Sequence, residues 1–194
     1  MSYLEDEIEK DNKLVKAVEN GGFGLKLLFL GLAQTGKSSI IQVIFEDKPP
    51  ETTKKIQATI GVRRKLLEFS NLSLNVYDVG GQITYLEEAF IDLRESIFSH
   101  IKTMFFVVDM SKFNEFNTAK LYFDRAIKNL SEYSPEARLH VLAHKSDLIP
   151  KEQRTKAIDL IAELFELELY PNVEIHETSI YEPTLYKAIE QAIN

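Results

Sequence analysis

The stretch Gly31-Leu-Ala-Gln-Thr-Gly-Lys37-Ser38 decides the fold of this chain. It matches the pattern Gly-x-x-x-x-Gly-Lys-Ser and stands between an apolar run, Leu25 to Leu30, and a predicted helix, Ser38 to Phe45. The glycines permit backbone angles that turn several N–H groups inward, and the helix adds its positive amino-terminal end. Taken alone, this loop predicts a site for a nucleoside phosphate.

Each residue type in the loop has an expected chemical role. The ammonium group of Lys37 is expected to reach the β- and γ-phosphates, and the hydroxyl of Ser38 is expected to coordinate Mg²⁺. The other loop residues expected to surround the phosphates are Gly31, Ala33, Gln34, Thr35, Gly36 and Ser39. A chance glycine-rich turn is the alternative, and the flanking strand and helix patterns disfavour it.

Apolar runs and helical patterns alternate along the rest of the chain. Predicted strands comprise Leu25 to Leu30, Leu66 to Phe69, Leu72 to Tyr77, Thr103 to Val108, Arg138 to Ala143 and Val173 to Thr178. Because helical segments separate most of these strands, we predict an α/β domain. Its sheet is six-stranded and mostly parallel, with helices on both faces.

For two segments of the domain, the sequence also predicts which side chains are buried. Leu72 to Tyr77 alternates apolar and polar residues, which predicts a strand with one buried face. Phe90, Leu93 and Ile97 have helical spacing, and we expect them to belong to the core rather than to a partner surface.

Residues 1–24 are predicted to precede the domain, which covers residues 25–194. They read as an acidic amphipathic helix followed by a Gly-rich linker, Gly21 to Gly24. The helix is either a flap packed on the domain or an arm that binds a partner, and the sequence supports both interpretations equally.

Composition excludes several function classes. The net charge of −7 argues against nucleic-acid binding and against electrostatic attachment to anionic membranes. The chain has no cysteine, and residue 2 is serine, so we expect no disulfide, no thiolate metal site and no direct lipid anchor. We expect a cytoplasmic protein that reaches membranes only through partners.

A second motif, Asp78-Val-Gly-Gly81-Gln82, follows a predicted strand directly. An aspartate at the carboxyl end of a strand beside a phosphate loop is placed to hold Mg²⁺. The backbone N–H of Gly81 is able to approach a γ-phosphate, and Gln82 is able to orient an attacking water. A turn with a capping aspartate is the alternative interpretation.

Thr59 lies at the end of a polar loop, just before the predicted hairpin. Its hydroxyl is expected to close on Mg²⁺ and the γ-phosphate, which would order the loop in the triphosphate state. The loop before it, Glu51 to Ala58, holds lysines but no arginine.

Two further segments follow strands and are predicted to bind a base. The carboxylate of Asp147 is able to accept two N–H bonds from a guanine edge, and the stem of Lys145 is able to lie along the base. His144 belongs to the same segment, and Ser179 and Ile180 follow the last strand. Alone, each of these segments is also compatible with an ordinary turn.

In this order and spacing, the five segments resemble the Ras superfamily of small GTPases over residues 25–194. Asp-Val-Gly-Gly-Gln and Thr-Ile-Gly are similar to the Arf and Arf-like group. The segments similar to the Rag/Gtr group are Gly36-Lys-Ser-Ser-Ile40, His144-Lys-Ser-Asp147 and Thr178-Ser-Ile-Tyr181. Most small GTPases carry Asn or Thr where this chain has His144, and histidine is typical of Rag proteins. The resemblance to Rag/Gtr, with Arf-like switch features, implies the P-loop NTPase G-domain fold.

The resemblance implies a Mg²⁺-dependent switch that hydrolyses GTP to GDP and phosphate, with Gln82 and Lys37 as the catalytic residues. Without an arginine before Thr59, turnover is expected to be slow until a partner acts. Expected partners are an activating protein, an exchange factor and effectors, and another GTPase or a roadblock-domain protein. Rag proteins pair through a carboxyl-terminal roadblock-type domain, and this chain ends near the close of its G domain, so that mode of pairing is not carried over.

Two other classes of function compete with this interpretation. One is a nucleotide-stabilised scaffold with negligible turnover, and the other is an ATP-dependent P-loop enzyme such as a nucleotide kinase. The intact set Lys37, Ser38, Asp78 and Gln82 disfavours the scaffold, and no Arg-rich lid segment supports the kinase.

Overall fold

The computed structural model describes residues 24–170 and 172–193. The predicted amino-terminal helix and the linker that follows it lie outside the described residues, except for Gly24 at the end of the linker. The six strands of the structure are β1 (Leu25–Leu30), β2 (Val62–Phe69), β3 (Leu72–Val79), β4 (Ile101–Asp109), β5 (Arg138–His144) and β6 (Val173–Thr178).

The strands form one sheet in the order β2-β3-β1-β4-β5-β6. β2 pairs antiparallel with β3, from Val62 opposite Val79 to Phe69 opposite Leu72, and the other pairings are parallel. The prediction of a mostly parallel, six-stranded sheet is therefore confirmed.

Helices cover both faces of the sheet. They are α1 (Lys37–Phe45), α2 (Ile83–Ile91), α3 (Arg94–Phe98), α4 (Phe116–Tyr133), α5 (Lys151–Leu164) and α6 (Thr184–Ile193). α1 and α6 pack on one face, and α2 to α5 pack on the other. In α4 the buried residues follow helical spacing, so the helix presents one apolar stripe to the sheet: Phe116, Ala119, Tyr122, Phe123, Ala126 and Leu130.

The helical spacing of Phe90, Leu93 and Ile97 after β3 predicts that all three are core residues, and the structure confirms this only in part. This segment forms two helices, α2 and α3, separated by Asp92 and Leu93. Phe90 and Ile97 are core residues, as predicted, whereas Leu93 is 37% exposed. Because Leu93 lies at the break between the helices, its side chain does not follow the apolar stripe.

Two other local predictions also differ from the structure. β3 is buried on both faces over its second half, since it lies between β2 and β1 rather than at an edge. Leu74 belongs to the core beneath α1 and α6, whereas Val79 belongs to the core beneath α2 to α5. The polar loop predicted over Glu51 to Ala58 contains a 3₁₀ helix, Pro50–Lys55.

The parallel strands place every predicted motif at one edge of the sheet. The carboxyl ends of β1, β3, β4, β5 and β6 all meet there, and ligands of open α/β sheets bind in the crevice outside such ends. Among the helices in the described part of the chain, none combines the length and apolar character that a membrane crossing requires.

Candidate functional site

The loop after β1 has a backbone that only particular residues can adopt. Gly31 and Gly36 have φ angles of 138° and 107°, and Gln34 has φ 62°. A Cβ added at Gly31 would lie 2.3 Å from the carbonyl oxygen of Val107, so β4 leaves no room for a side chain there. The loop ends at the amino terminus of α1, where N–H groups and the helix dipole favour an anion.

Lys37 crosses the interior of this loop. Its Nζ donates hydrogen bonds of 2.7 Å to the carbonyl oxygens of Gly31 and Leu32, and the residue is 5% exposed. Burial lowers the pKa of Lys37 to about 8, and the charge of Asp78 opposes that shift. The amine therefore remains mostly cationic near pH 7, inside the predicted phosphate site. Thr35 closes the loop by donating from Oγ1 to the carbonyl oxygen of Leu32 at 3.0 Å.

The three predicted metal residues converge. Ser38 Oγ donates to Asp78 Oδ2 at 2.6 Å, Thr59 Oγ1 donates to the same oxygen at 3.0 Å, and the two hydroxyl oxygens lie 2.9 Å apart. Thr59 and Asp78 are each 7% exposed. Asp78 Oδ1 is buried and has no hydrogen-bond partner among residues 24–170 and 172–193. Two hydroxyls and a carboxylate are oxygen donors of the kind that Mg²⁺ prefers.

The segment after β3 lies directly against the phosphate loop. A Cβ at Gly81 would lie 2.3 Å from the carbonyl carbon and oxygen of Leu32 and 2.4 Å from the nitrogen of Ala33. Only glycine allows this approach of two backbones. The N–H of Gly80 donates to the carbonyl oxygen of Gly61 at 2.8 Å, which joins this segment to the loop that carries Thr59.

Gln82 is placed at the start of α2, where it is the N-cap residue. Its carbonyl oxygen accepts hydrogen bonds of 3.0 Å from the N–H groups of Tyr85 and Leu86, and its side chain is exposed. The residue therefore borders the site from the solvent side, where a water molecule has access.

The predicted base-binding residues are linked to the phosphate loop. Lys145, with φ 61°, donates from Nζ to the carbonyl oxygen of Gln34 and to Asp109 Oδ2, both at 2.7 Å. Asp147 is exposed, and its Oδ1 accepts a hydrogen bond from Ser179 Oγ. The structure thus brings together the loops after β1, β4, β5 and β6. Ile180 is partly buried and packs on the core beneath α1 and α6.

His144 is the last residue of β5 and is 1% exposed. Its Nδ1 lies 2.9 Å from Thr178 Oγ1. A Cβ at Gly36 would lie 2.7 Å from the ring Cδ2 and 3.0 Å from Nε2, so the ring packs directly against the phosphate loop. Burial lowers the pKa of His144 to about 4, with a further contribution from the charge of Lys145, and the ring is neutral near pH 7.

Asp109 also belongs to the site, although no motif in the sequence predicted it. It is 3% exposed at the end of β4, where Oδ1 accepts hydrogen bonds from the N–H and the hydroxyl of Ser111, and Oδ2 accepts one from Lys145. An acidic residue directly after the apolar run Thr103 to Val108 was the available signal, because Asp78 follows its own strand in the same way.

Replacing Gly36 by alanine is expected to weaken GDP binding by about 10-fold or more. The new Cβ would meet a buried histidine ring at a backbone angle that costs alanine about 1–2 kcal/mol. Gly61→Ala is the matched control, since Gly61 also has a positive φ, 61°, but a Cβ there meets nothing within 4 Å. Equal GDP affinities of the two variants, measured by fluorescence titration, would contradict the packing role of His144.

The fold is that of the small GTPases. A solved structure described as the Arl6 BBS3 small GTPase from Trypanosoma brucei with bound GppNp has the same fold, with a TM-score of 0.69. The alignment of the two structures covers 87% of this chain and 95% of the solved chain, and the sequence identity is 20%.

Within that class, the family model for the Gtr1/RagA G protein conserved region matches residues 26–194, so the chain belongs to the Gtr1/RagA family. GTP-binding protein GTR1 of Saccharomyces cerevisiae is 32% identical over 173 residues, which cover 87% of this chain and 56% of GTR1. Ras-related GTP-binding protein A of Dictyostelium discoideum is 32% identical over 165 residues, which cover 84% of this chain and 54% of the relative. The chain therefore spans about half the length of these relatives. The resemblance to the Rag/Gtr group that the sequence motifs predict is confirmed.

Proposed function

We propose that the chain is a molecular switch that binds GTP and GDP with Mg²⁺ and hydrolyses GTP slowly. The observation that supports this most is the convergence of Ser38, Thr59 and Asp78, with the buried Oδ1 of Asp78 lacking a partner among the described residues. A buried carboxylate oxygen without a partner is costly, and a bound cation would offset that cost.

Mg²⁺, when bound by these three residues, neutralises part of the charge of the β- and γ-phosphates. Ser38 and Thr59 would hold it through their hydroxyl oxygens, and Asp78 through its carboxylate, directly or by way of water. Thr59 comes from the loop after α1, so holding the ion also holds that loop in place.

The rest of the chemistry belongs to the protein side chains. Lys37 supplies a positive charge inside the loop, where burial strengthens its effect on the phosphates. Gln82 orients the attacking water at the open side of the site. Asp147 accepts two N–H groups of guanine, and the stem of Lys145 lies along the base while its ammonium keeps the loops together.

We expect intrinsic turnover below about 10⁻² s⁻¹, the rate typical of GTPases that carry their arginine in cis. The loop from Glu51 to Ala58 has no arginine to supply that charge. Single-turnover release of phosphate from preloaded GTP measures the rate directly. A faster rate would show that the chain itself supplies the positive charge that we expect from a partner.

A scaffold that binds nucleotide without turnover is the competing function. The same assay separates the two functions. Phosphate release that does not exceed the rate of GTP in buffer, from a protein that retains GTP, would support the scaffold.

The nucleotide state would be communicated through apolar side chains beside the site. Ile60 is 70% exposed next to Thr59, and Ile83 and Ile91 on α2 are each 58% exposed. These residues lie on the segments that the γ-phosphate orders, so their arrangement depends on the bound nucleotide. We propose this surface for effectors and an activating protein. An exchange factor and a second GTPase or roadblock-domain protein complete the proposed set of partners.

A further inference from the structure

Two histidines and a glutamate meet on the outer part of the sheet, away from the nucleotide site. His140 lies on β5, and Glu174 and His176 lie on the edge strand β6. Pairing places His140 opposite Glu174 and Leu142 opposite His176, so all three side chains lie on the face that α6 covers. His140 precedes His144 by four residues, which separates the cluster from the nucleotide site by about 13 Å along the strand.

The two rings are joined by a hydrogen bond, and the distances within the cluster are also short enough for all three side chains to share one metal ion. His140 Nδ1 lies 3.0 Å from His176 Nε2, and Glu174 Oε2 lies 3.5 Å from that same Nε2 and 3.9 Å from His140 Nδ1. Ligands bound to zinc at 2.0–2.1 Å in a tetrahedron are about 3.3 Å from one another. The three atoms therefore have separations close to those along one face of such a tetrahedron, and all lie within 4.8 Å of one another.

The surroundings of His140 are unusual for an ordinary core histidine. The residue is 3% exposed beside Phe105, with ring centroids 5.9 Å apart. Its Nε2 is buried and has no hydrogen-bond partner among the described residues. Nδ1 faces His176, so within the described chain the buried ring of His140 is held by a polar contact on the side of the cluster alone.

The carboxylate of Glu174 and the two imidazole rings also have properties that favour binding of a cation. Gln191 on α6 donates from Nε2 to Glu174 Oε2 at 2.9 Å, a contact of the kind that orients the carboxylates of metal sites. Neutral imidazole is the form that binds metal, and burial favours it by lowering the pKa of both histidines, to about 4 for His140.

We propose that His140, Glu174 and His176 bind a divalent transition-metal ion of the zinc class, with water completing the coordination. Two imidazoles and one carboxylate suit zinc and cobalt better than Mg²⁺, which prefers oxygen ligands. The ion joins the edge strand β6 to β5, and Gln191 of α6 holds the Glu174 carboxylate. The ion joins these strands two residues before Thr178, whose hydroxyl contacts His144.

Cobalt(II) is the probe, because its visible absorption reports tetrahedral coordination by protein ligands. The untagged full chain, loaded with GDP in millimolar Mg²⁺, is titrated with Co²⁺ and then with Zn²⁺. We expect a visible band that Zn²⁺ abolishes. Excess Mg²⁺ keeps the nucleotide site occupied, so this signal is independent of the proposed GTPase function.

Single-residue variants test whether the Co²⁺ absorption band arises from the cluster. His176→Gln and Glu174→Gln, both near the exposed edge, are expected to weaken Co²⁺ binding by at least about 10-fold, since even outer contacts of metal sites contribute that much. His100→Asn is the matched control and should bind Co²⁺ as the wild type does, because His100 is exposed and outside the cluster. Retained GDP shows that each variant is folded. A wild type without the band, or a band that survives both cluster variants, would overturn the proposal.

Discussion

Replacing Asp147 by alanine is expected to lower the affinity for GTP by at least about 100-fold while leaving the affinity for ATP unchanged. Hydrogen bonds to a charged group contribute about 1.5–3 kcal/mol each, and the carboxylate is proposed to accept two from guanine. Adenine does not offer that pair of donors. Competition of GTP and ATP against a fluorescent GDP analogue measures both affinities on the same protein.

Asp159→Ala is the control for this experiment, since Asp159 is exposed on α5 and lies outside the described site. It should bind GTP as the wild type does. If Asp147→Ala keeps the preference for GTP over ATP, another group recognises the base, and the role proposed for the loop after β5 is wrong. A wild type that prefers ATP would restore the ATP-dependent P-loop enzyme as the leading alternative.

Replacing Gln82 by leucine is expected to slow GTP hydrolysis by about 100-fold, because a positioned proton acceptor or water-orienting group contributes about 10²–10⁴ to a rate. The affinities for GTP and GDP are expected to stay within about 2-fold of those of the wild type. Leucine has a similar size but cannot accept or donate a hydrogen bond. The exposed side chain of Gln82 makes no contact that the fold requires, so the variant should fold normally. Single-turnover phosphate release and nucleotide titration measure the two quantities separately.

Gln153→Leu provides the matched control, because Gln153 is an exposed glutamine on α5. Its turnover should equal that of the wild type. Unchanged hydrolysis in Gln82→Leu would mean that the attacking water is oriented by other groups.

The parts of the molecule that depend on local spacing were predictable from sequence. The phosphate loop is one such part, since its glycines, Lys37 and Ser38 lie within eight residues and between recognisable elements. The type of sheet was also predictable, because buried strands that alternate with helices leave few other arrangements. The convergence of Ser38, Thr59 and Asp78 followed from the placement of their loops at one edge of that sheet.

Contacts between distant segments were not predictable in the same way. The packing of Gly36 against His144 joins residues 108 positions apart, and no pattern in either segment reports it. The ion pair between Lys145 and Asp109 depends on the neighbouring positions of β4 and β5 in the sheet. Leu93 was assigned to the core from its spacing, and the break between α2 and α3 overrode that periodicity.

The antiparallel pair of β2 and β3 has a further consequence for kinetics. Thr59 lies just before β2 and Asp78 near the end of β3, and the pairing of Val62 with Val79 sets the two ends of this hairpin side by side. The loop that carries Thr59 and the segment that follows Asp78 therefore share one support. In the proposed switch, loss of the γ-phosphate should release both as a single cooperative unit, with one relaxation rate for amides in either segment.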